Sequence, residues 1–215
     1  MNTFDLMLGI FRMIFGFKNP WEYSIQKIER KEKGRTDCLL IGSSTFTLWK
    51  SVKKDLQLPN LVNNGFGGAM INDIINNFDR IATPWAPENI VIFVGTNDIA
   101  MPKPANSTYV FEKTKELFGM IQNKIPGARI FYLPITPTQA RWKLWNVANS
   151  ANEMIKRFTE LNHQITFIDI RSQFLDKNGM PNKKYFRMDK LHPNEKGYRI
   201  LSESINEALK KSAVP

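Results

Sequence analysis

The sequence predicts a single α/β domain built on a parallel sheet that carries helices on both faces. Three observations predict it. Short apolar runs recur at 38–41 (CLLI), 61–62 (LV), 90–94 (IVIFV), 130–135 (IFYLPI) and 165–170 (ITFIDI). They are continuous rather than alternating, the pattern of strands buried on both faces. Each precedes a stretch with helix-like character, so strand and helix alternate along the chain.

Taken in order, the first seventeen residues are apolar almost all round (Phe4, Leu6, Met7, Leu8, Ile10, Phe11, Met13, Ile14, Phe15 and Phe17). The segment is too short to span a bilayer, which takes roughly 20 residues. It is also a poor export signal, because Asp5 replaces a basic start, Arg12 interrupts the apolar stretch and no Ala-x-Ala site follows. Two readings stand: a helix packed on its own domain or on a sister subunit, or an interfacial helix making peripheral membrane contact. In the second, Lys18, Lys27, Arg30, Lys31, Lys33 and Arg35 would lie behind it. A domain over 18–215 follows. Helical spacing is kept by Ile71, Ile74, Ile75 and Phe78, and by Val110, Thr114, Leu117 and Ile121. It returns in Ala151, Met154, Ile155, Phe158 and Leu161, and in Leu201, Ile205, Ala208 and Leu209. The connection over 171–192 is long and contains Gly179 and Pro181; loops of that length are usually functional or mobile.

Composition bounds the function. The chain has 215 residues, 42% hydrophobic and 23% charged, which excludes disorder as its dominant state. The formal charge of +10 belongs mostly to the two ends. Residues 1–35 hold seven basic and four acidic side chains, and residues 171–215 hold ten and five. No basic run with interleaved stacking aromatics marks a nucleic-acid platform, so no nucleic-acid partner is expected. One cysteine, Cys38, excludes an internal disulfide and a cysteine zinc cluster. His163 and His192 are too few for a multi-histidine metal site, so neither metal nor cofactor is expected. A cytoplasmic location is the default expectation.

In a parallel sheet, ligand-binding groups gather outside the carboxyl ends of the strands. There the first strand ends in Gly42-Ser43-Ser44-Thr45. The second ends in Asn63-Asn64-Gly65-Phe66-Gly67-Gly68, and the third in Gly95-Thr96-Asn97-Asp98. With the strands in the order 2-1-3-4-5, Ser44 would be flanked by the glycine loop and by Asn97. Acyl transfer needs such a layout: a serine hydroxyl, a base to take its proton, and fixed donors for an oxyanion. The base would be His192, with Asp189 three residues earlier to hold the imidazole. The fifth strand lies about 14 Å from the first, a span the 171–192 connection easily covers. Each piece has a plainer reading. Ser43 and Ser44 would cap a helix, Asn97-Asp98 would make an Asx turn, and Asp189 and His192 would cap the last helix. The glycines resemble half a dinucleotide fingerprint, but Met70 stands where its third glycine belongs.

The four pieces in this order resemble the SGNH (GDSL-type) serine esterases. That family runs as a Ser near the N-terminus, a Gly after the second strand, an Asn in G-x-N-D and a late D-x-x-H. Here the blocks read Ser44, Gly68, Asn97, and Asp189 with His192. The first block is G-S-S followed by Leu48-Trp49, so Ser43 stands where G-D-S members have Asp. The opening Asn-Pro-Trp-Glu at 19–22 also resembles this subgroup. The resemblance implies a three-layer, flavodoxin-like α/β/α sandwich and hydrolysis of carboxylic esters through an acyl-serine. It implies Ser44 as nucleophile, His192 as general base and then acid, and Asp189 as the group orienting the imidazole. The Ser44 and Gly68 N–H groups and the Asn97 amide would form the oxyanion hole. For substrate, the apolar N-terminus points to a lysophospholipid or other lipid ester, with an acetylated carbohydrate as the alternative. Arg141 and Trp142, beside Trp145 and just after the fourth strand, are the candidate substrate contacts. A non-catalytic ligand or anion binder on the same fold is the third reading.

Overall fold

The computed structural model describes residues 20–100 and 105–212. The apolar segment expected over 1–17, and Lys18 and Asn19 after it, lie outside the described residues. Five parallel strands, β1 (Cys38–Gly42), β2 (Leu61–Asn63), β3 (Asn89–Phe93), β4 (Arg129–Tyr132) and β5 (Ile165–Phe167), pair in the order β2-β1-β3-β4-β5. That is the expected order. In register, Leu39 lies opposite Val62 on one side and Ile90 on the other, and Ile130 lies between Ile90 and Ile165.

Side chains on a strand point alternately to its two faces. Here the two sets enter separate cores. Leu39, Ile41, Ile90, Ile92, Ile130 and Tyr132 join the first core. It is covered by α1 (Glu22–Glu29), α4 (Ile71–Ile81), α5 (Ser107–Lys124) and α6 (Trp145–Glu160). Cys38, Leu40, Val91, Phe93, Phe131 and Leu133 join the second. It is covered by α2 (Ser44–Thr47), α3 (Val52–Leu56) and α7 (Glu195–Ser212). Both faces therefore need apolar side chains, which is why the strand runs are unbroken and why the layers number three.

Helix α1 buries Ile25 and Ile28 in the first core, with Trp21 one turn before them. It is also tied by Arg80 of α4, whose guanidinium bonds Glu22 at 2.8 and 2.9 Å and Glu29 at 2.7 and 2.8 Å. The apolar runs at 130–135 and 165–170 outlast their strands, which end at Tyr132 and Phe167. Leu133, Ile135, Ile168 and Ile170 remain buried in irregular chain. The 171–192 connection is likewise folded rather than loose. It forms short turns at Ser172–Phe174 and Lys183–Tyr185 and two isolated bridges, Leu175 to Pro181 and Phe186 to Pro193. Phe174 is fully buried in the second core, against the rings of Tyr185 and Phe186.

Strands are added to one side of β1 first (β2) and then to the other (β3, β4, β5), so the switch point of the sheet lies beyond the carboxyl ends of the paired strands β1 and β3. Gly42 lies at that point. A Cβ on it would sit 2.3 Å from the Phe93 carbonyl oxygen, so no other residue fits without moving β3. Ser44 follows two residues later.

Candidate active site

Ser44 opens α2 directly beyond β1. The carbonyl of Ser43 accepts the N–H groups of Phe46 and Thr47 at 3.1 and 3.2 Å and the Thr47 hydroxyl at 3.2 Å, which closes the first turn. Neither serine hydroxyl caps the helix. The Ser44 Oγ instead lies 2.8 Å from His192 Nε2. A four-residue helix cannot hold its own shape in water, and side chains from elsewhere in the fold brace this one. Tyr198 donates its hydroxyl to the Thr45 carbonyl at 2.9 Å, and Arg187 Nη2 donates to the Leu48 carbonyl at 3.3 Å. Trp49 stacks on Tyr198 with ring centroids 5.0 Å apart.

Asp189 and His192 sit on a tight turn at the end of the 171–192 connection. Asp189 Oδ2 lies 2.7 Å from His192 Nδ1, while Oδ1 accepts the backbone N–H groups of Leu191 and His192 at 2.9 Å each. Lys190 takes the left-handed conformation (φ 61°) that lets the turn close. The turn is fastened by Arg187 N–H to the His192 carbonyl (2.8 Å) and by Arg187 Nε to the Pro193 carbonyl (3.0 Å). Desolvation pushes the Asp189 carboxyl up, but the hydrogen bonds from the His192 ring and the two backbone N–H groups outweigh it. The net position is below the ordinary carboxylate value. An ionised Asp189 on Nδ1 fixes the proton there and turns the lone pair of Nε2 toward Ser44.

The cap of α7 explains why this pair is free for chemistry. Asn194 Oδ1 accepts the N–H groups of Lys196 and Gly197 at 2.9 and 3.2 Å. The helix start is therefore satisfied by Asn194 and not by Asp189 or His192.

Asn97 reaches across the switch point, and its Nδ2 donates to the Ala69 carbonyl at 2.9 Å. One of its two amide hydrogens is thereby engaged, and the glycine loop is tied to the end of β3. Gly68, next to Ala69, has φ 77°, a backbone state suited to glycine. Asn63 shapes the start of the same loop, accepting from Gly65 N–H at 3.0 Å and donating to the Phe46 carbonyl at 2.8 Å. Asp98 does not make an Asx turn of its own; its buried carboxylate accepts the N–H of Ile71 at the start of α4 (3.2 and 3.4 Å). Burial pushes the Asp98 carboxyl up to about 6, against the Ile71 bond and with Asp73 adding repulsion.

A crevice of about 20 Å³ lies at Ser44, bordered by Ser43, Thr96, Asn97, Thr136, Thr138 and His192 among others. Gly68 does not border it. Arg141 and Trp142 also lie outside that border, on the turn Gln139–Leu144. This turn touches the Asp189–His192 turn through Ala140 N–H to the Lys190 carbonyl (3.1 Å). Trp142 stacks on Trp145 at 6.0 Å, and Arg141 Nε is buried without a hydrogen-bond partner. His163 is exposed. Cys38 is fully buried in β1, and burial, with Asp37 close by, pushes its thiol up to about 12. Among the described residues no three His, Cys, Asp or Glu side chains gather as metal ligands would. No helix among them is long and apolar enough to cross a membrane.

Two braces escaped the sequence reading. Arg187 and Tyr198 bind backbone carbonyls more than a hundred positions away. A residue that acts through main-chain acceptors leaves no partner side chain to be read as a pattern.

Known proteins show the same arrangement of chain. Residues 42–200 match the model of the GDSL-like Lipase/Acylhydrolase family. The N-acylneuraminate cytidylyltransferase of Escherichia coli O18:K1:H7 (strain RS218 / NMEC) is 29% identical over 180 residues, which cover 81% of this chain. This chain spans 41% of that protein's length. A protein from Streptococcus pneumonia, provisionally described as a platelet activating factor, superposes with a TM-score of 0.79 at 18% identity, covering 97% of this chain and 100% of its own. A GDSL-like lipase from Bacteroides thetaiotaomicron VPI-5482 gives 0.70 at 18%, covering 89% and 98%. A catalytic mutant of an acetylxylan esterase from Geobacillus stearothermophilus gives 0.66 at 15%, covering 83% and 94%. At these identities the superpositions speak for the fold.

Proposed function

Since the chain belongs to the GDSL-like lipase/acylhydrolase family, we propose that it hydrolyses carboxylic esters through an acyl-serine intermediate. The observation that carries this reading is the unbroken line from Asp189 Oδ2 to His192 Nδ1 (2.7 Å) and from Nε2 to Ser44 Oγ (2.8 Å). Ser44 Oγ attacks the ester carbonyl carbon while His192 Nε2 takes the hydroxyl proton. Asp189 stabilises the imidazolium that forms. Negative charge then develops on the carbonyl oxygen, where the Ser44 and Gly68 N–H groups and the second amide hydrogen of Asn97 would receive it. Collapse breaks the bond to the alkoxy oxygen, and His192 returns the proton to the departing alcohol. Water then adds to the acyl-serine with the same histidine as base, releasing the carboxylic acid and restoring Ser44.

A short acyl group, acetyl above all, fits the crevice best. The crevice beside Ser44 is small, and threonines form much of the wall. This favours an acetylated substrate such as a carbohydrate ester, the activity named for the Geobacillus neighbour, over a long-chain lipid ester. The lipid expectation drew on residues 1–17, and membrane contact through that segment is a separate proposal. It is tested by liposome co-sedimentation of the full chain against one lacking 1–17.

The test of the reaction is hydrolysis of p-nitrophenyl esters of rising acyl length, with fluorophosphonate labelling. Turnover should be greatest for acetate and fall steeply with length, and labelling should vanish in Ser44→Ala. No turnover and no labelling of the wild type, or equal labelling of Ser44→Ala, would sink the acyl-serine route. A maximum at long chains would sink the acetyl assignment alone.

A further inference from the structure

The crevice at Ser44 is not the only concavity among the described residues. A cavity of about 530 Å³ lies at the open edge of the sheet, under the short edge strand β2. Its wall is made by residues 31–36 between α1 and β1, by Lys53 of α3, and by residues 59–63 leading into β2. A second lobe of about 290 Å³ adjoins it, sharing Lys31 and Asn63, and runs on to Lys27, Thr47 and Gly65. The volume of the main cavity is that of a small-molecule site.

Its charge is lopsided. Lys31, Lys33, Arg35 and Lys53 face one carboxylate, Glu32, around the main cavity, and Lys27 stands in the adjoining lobe. The other carboxylates nearby already have partners. Arg80 holds Glu22 and Glu29, Arg35 pairs with Glu88, and Asp55 accepts from Trp49 Nε1 and Ser51. Lys31 exposes its stem but turns its ammonium inward, onto the Asn63 carbonyl and, at 3.0 Å, onto Oδ1 of buried Asn64. Both acceptors are neutral. Desolvation of that ammonium, with Lys27 and Lys53 close by, brings Lys31 down to about 8. Cations in excess over carboxylates in a concave wall attract an anion and are relieved by it.

We propose that this cavity is a binding site for the phosphoryl group of a small soluble molecule, separate from the esterase crevice. Lysine ammonium groups along one concave wall act as point charges and suit a multiply charged, tetrahedral oxyanion. A planar carboxylate is matched best by an arginine fork, and the one arginine here is committed to Glu88. The concave form suits a discrete molecule rather than a flat bilayer surface.

The probe is inorganic pyrophosphate, titrated calorimetrically into the full chain at fixed ionic strength. Saturable binding is expected, and it should weaken roughly ten-fold or more in Lys53→Gln and in Lys27→Gln. Lys31→Gln should abolish it; because Lys31 also ties down the Asn63–Asn64 turn, the Lys53 and Lys27 variants stand as the decisive pair. Ser44→Ala should bind as the wild type does, so this site stands or falls independently of the esterase reading. Vesicles of phosphatidylcholine with and without phosphatidylglycerol form the second arm. Absence of saturable binding, or equal binding by the Lys53→Gln and Lys27→Gln variants, overturns the proposal. So does retention by phosphatidylglycerol vesicles that is lost in those variants while pyrophosphate fails to bind, since the phosphate would then be a lipid headgroup.

Discussion

The hydroxyl of Tyr198, in α7, donates a 2.9 Å hydrogen bond to the carbonyl of Thr45, the residue that follows Ser44. The helix that packs behind the histidine loop therefore also grips the helix that carries the nucleophile. Trp49 stacks on the same ring at 5.0 Å, and the Arg187 guanidinium lies 6.0 Å from its centroid. Ser44 and His192 are set by one connected piece of structure.

Tyr198→Phe keeps the ring and removes the grip. The expected loss of stability is about 1 kcal/mol, measured by denaturant unfolding. The expected fall in kcat is larger in proportion, about ten-fold with KM little changed, because Ser44 Oγ must stay within hydrogen-bond reach of His192. Equal kcat for the variant would show that α2 holds its place without Tyr198.

Arg187 joins the two catalytic segments directly, through the carbonyls of Pro193 and Leu48. Arg187→Ala is expected to lower kcat/KM by roughly 10- to 100-fold and to slow fluorophosphonate labelling of Ser44 in step. Arg187→Lys should recover only part of it, since a single ammonium does not reproduce the planar fork. Full recovery by lysine would mean that charge, not geometry, is what matters at this position.

Asn97→Ala removes two things at once, the tie to Ala69 and a proposed oxyanion donor. Loss of one such donor typically costs 10²- to 10³-fold in kcat. Activity should fall by about that factor while the triad remains labelled by fluorophosphonate at a reduced rate. A change in KM alone would remove Asn97 from the oxyanion hole and leave it a loop clasp.

Asp98 makes a prediction about pH. Its folded carboxyl is raised to about 6 from an ordinary 3.8, chiefly by burial. The folded state therefore holds the proton more tightly than the unfolded state. Its contribution to stability is full below about pH 4 and is lost as pH rises through 6. Asp98→Asn keeps an acceptor for the Ile71 N–H but has no proton to lose. Relative to the wild type, it should gain on the order of 3 kcal/mol between pH 4 and 7. A difference that stays flat over that range would place the Asp98 titration elsewhere.

Much of the fold is visible in the strand runs because both faces of the sheet are buried. Leu39 and Leu40 serve opposite cores, and hydropathy registers both alike. The same property blurs the ends of β4 and β5. Leu133 and Ile168 are buried without being paired on both sides, and apolar character reports burial rather than pairing. The triad is legible because Ser44, Asp189 and His192 are reactive types placed in order along the chain. The braces are not. Arg187 and Tyr198 act on main-chain carbonyls, which every residue carries, so nothing in the sequence marks Leu48 or Thr45 as their targets. Helix α1 is hidden because it is short: besides Ile25 and Ile28 it is attached by an ionic fork from Arg80, which no local pattern announces.

The division of the interior into two cores has a consequence for how activity is lost. Phe46, Trp49, Phe174, Phe186 and Tyr198, which sit behind Ser44 and His192, all belong to the second core. The helices α1, α4, α5 and α6 belong to the first. Warming or dilute denaturant that loosens only the second layer would part serine from histidine while most of the helical signal persisted. Ester turnover is thus a thermometer for one side of the sheet, and circular dichroism reads mainly the other.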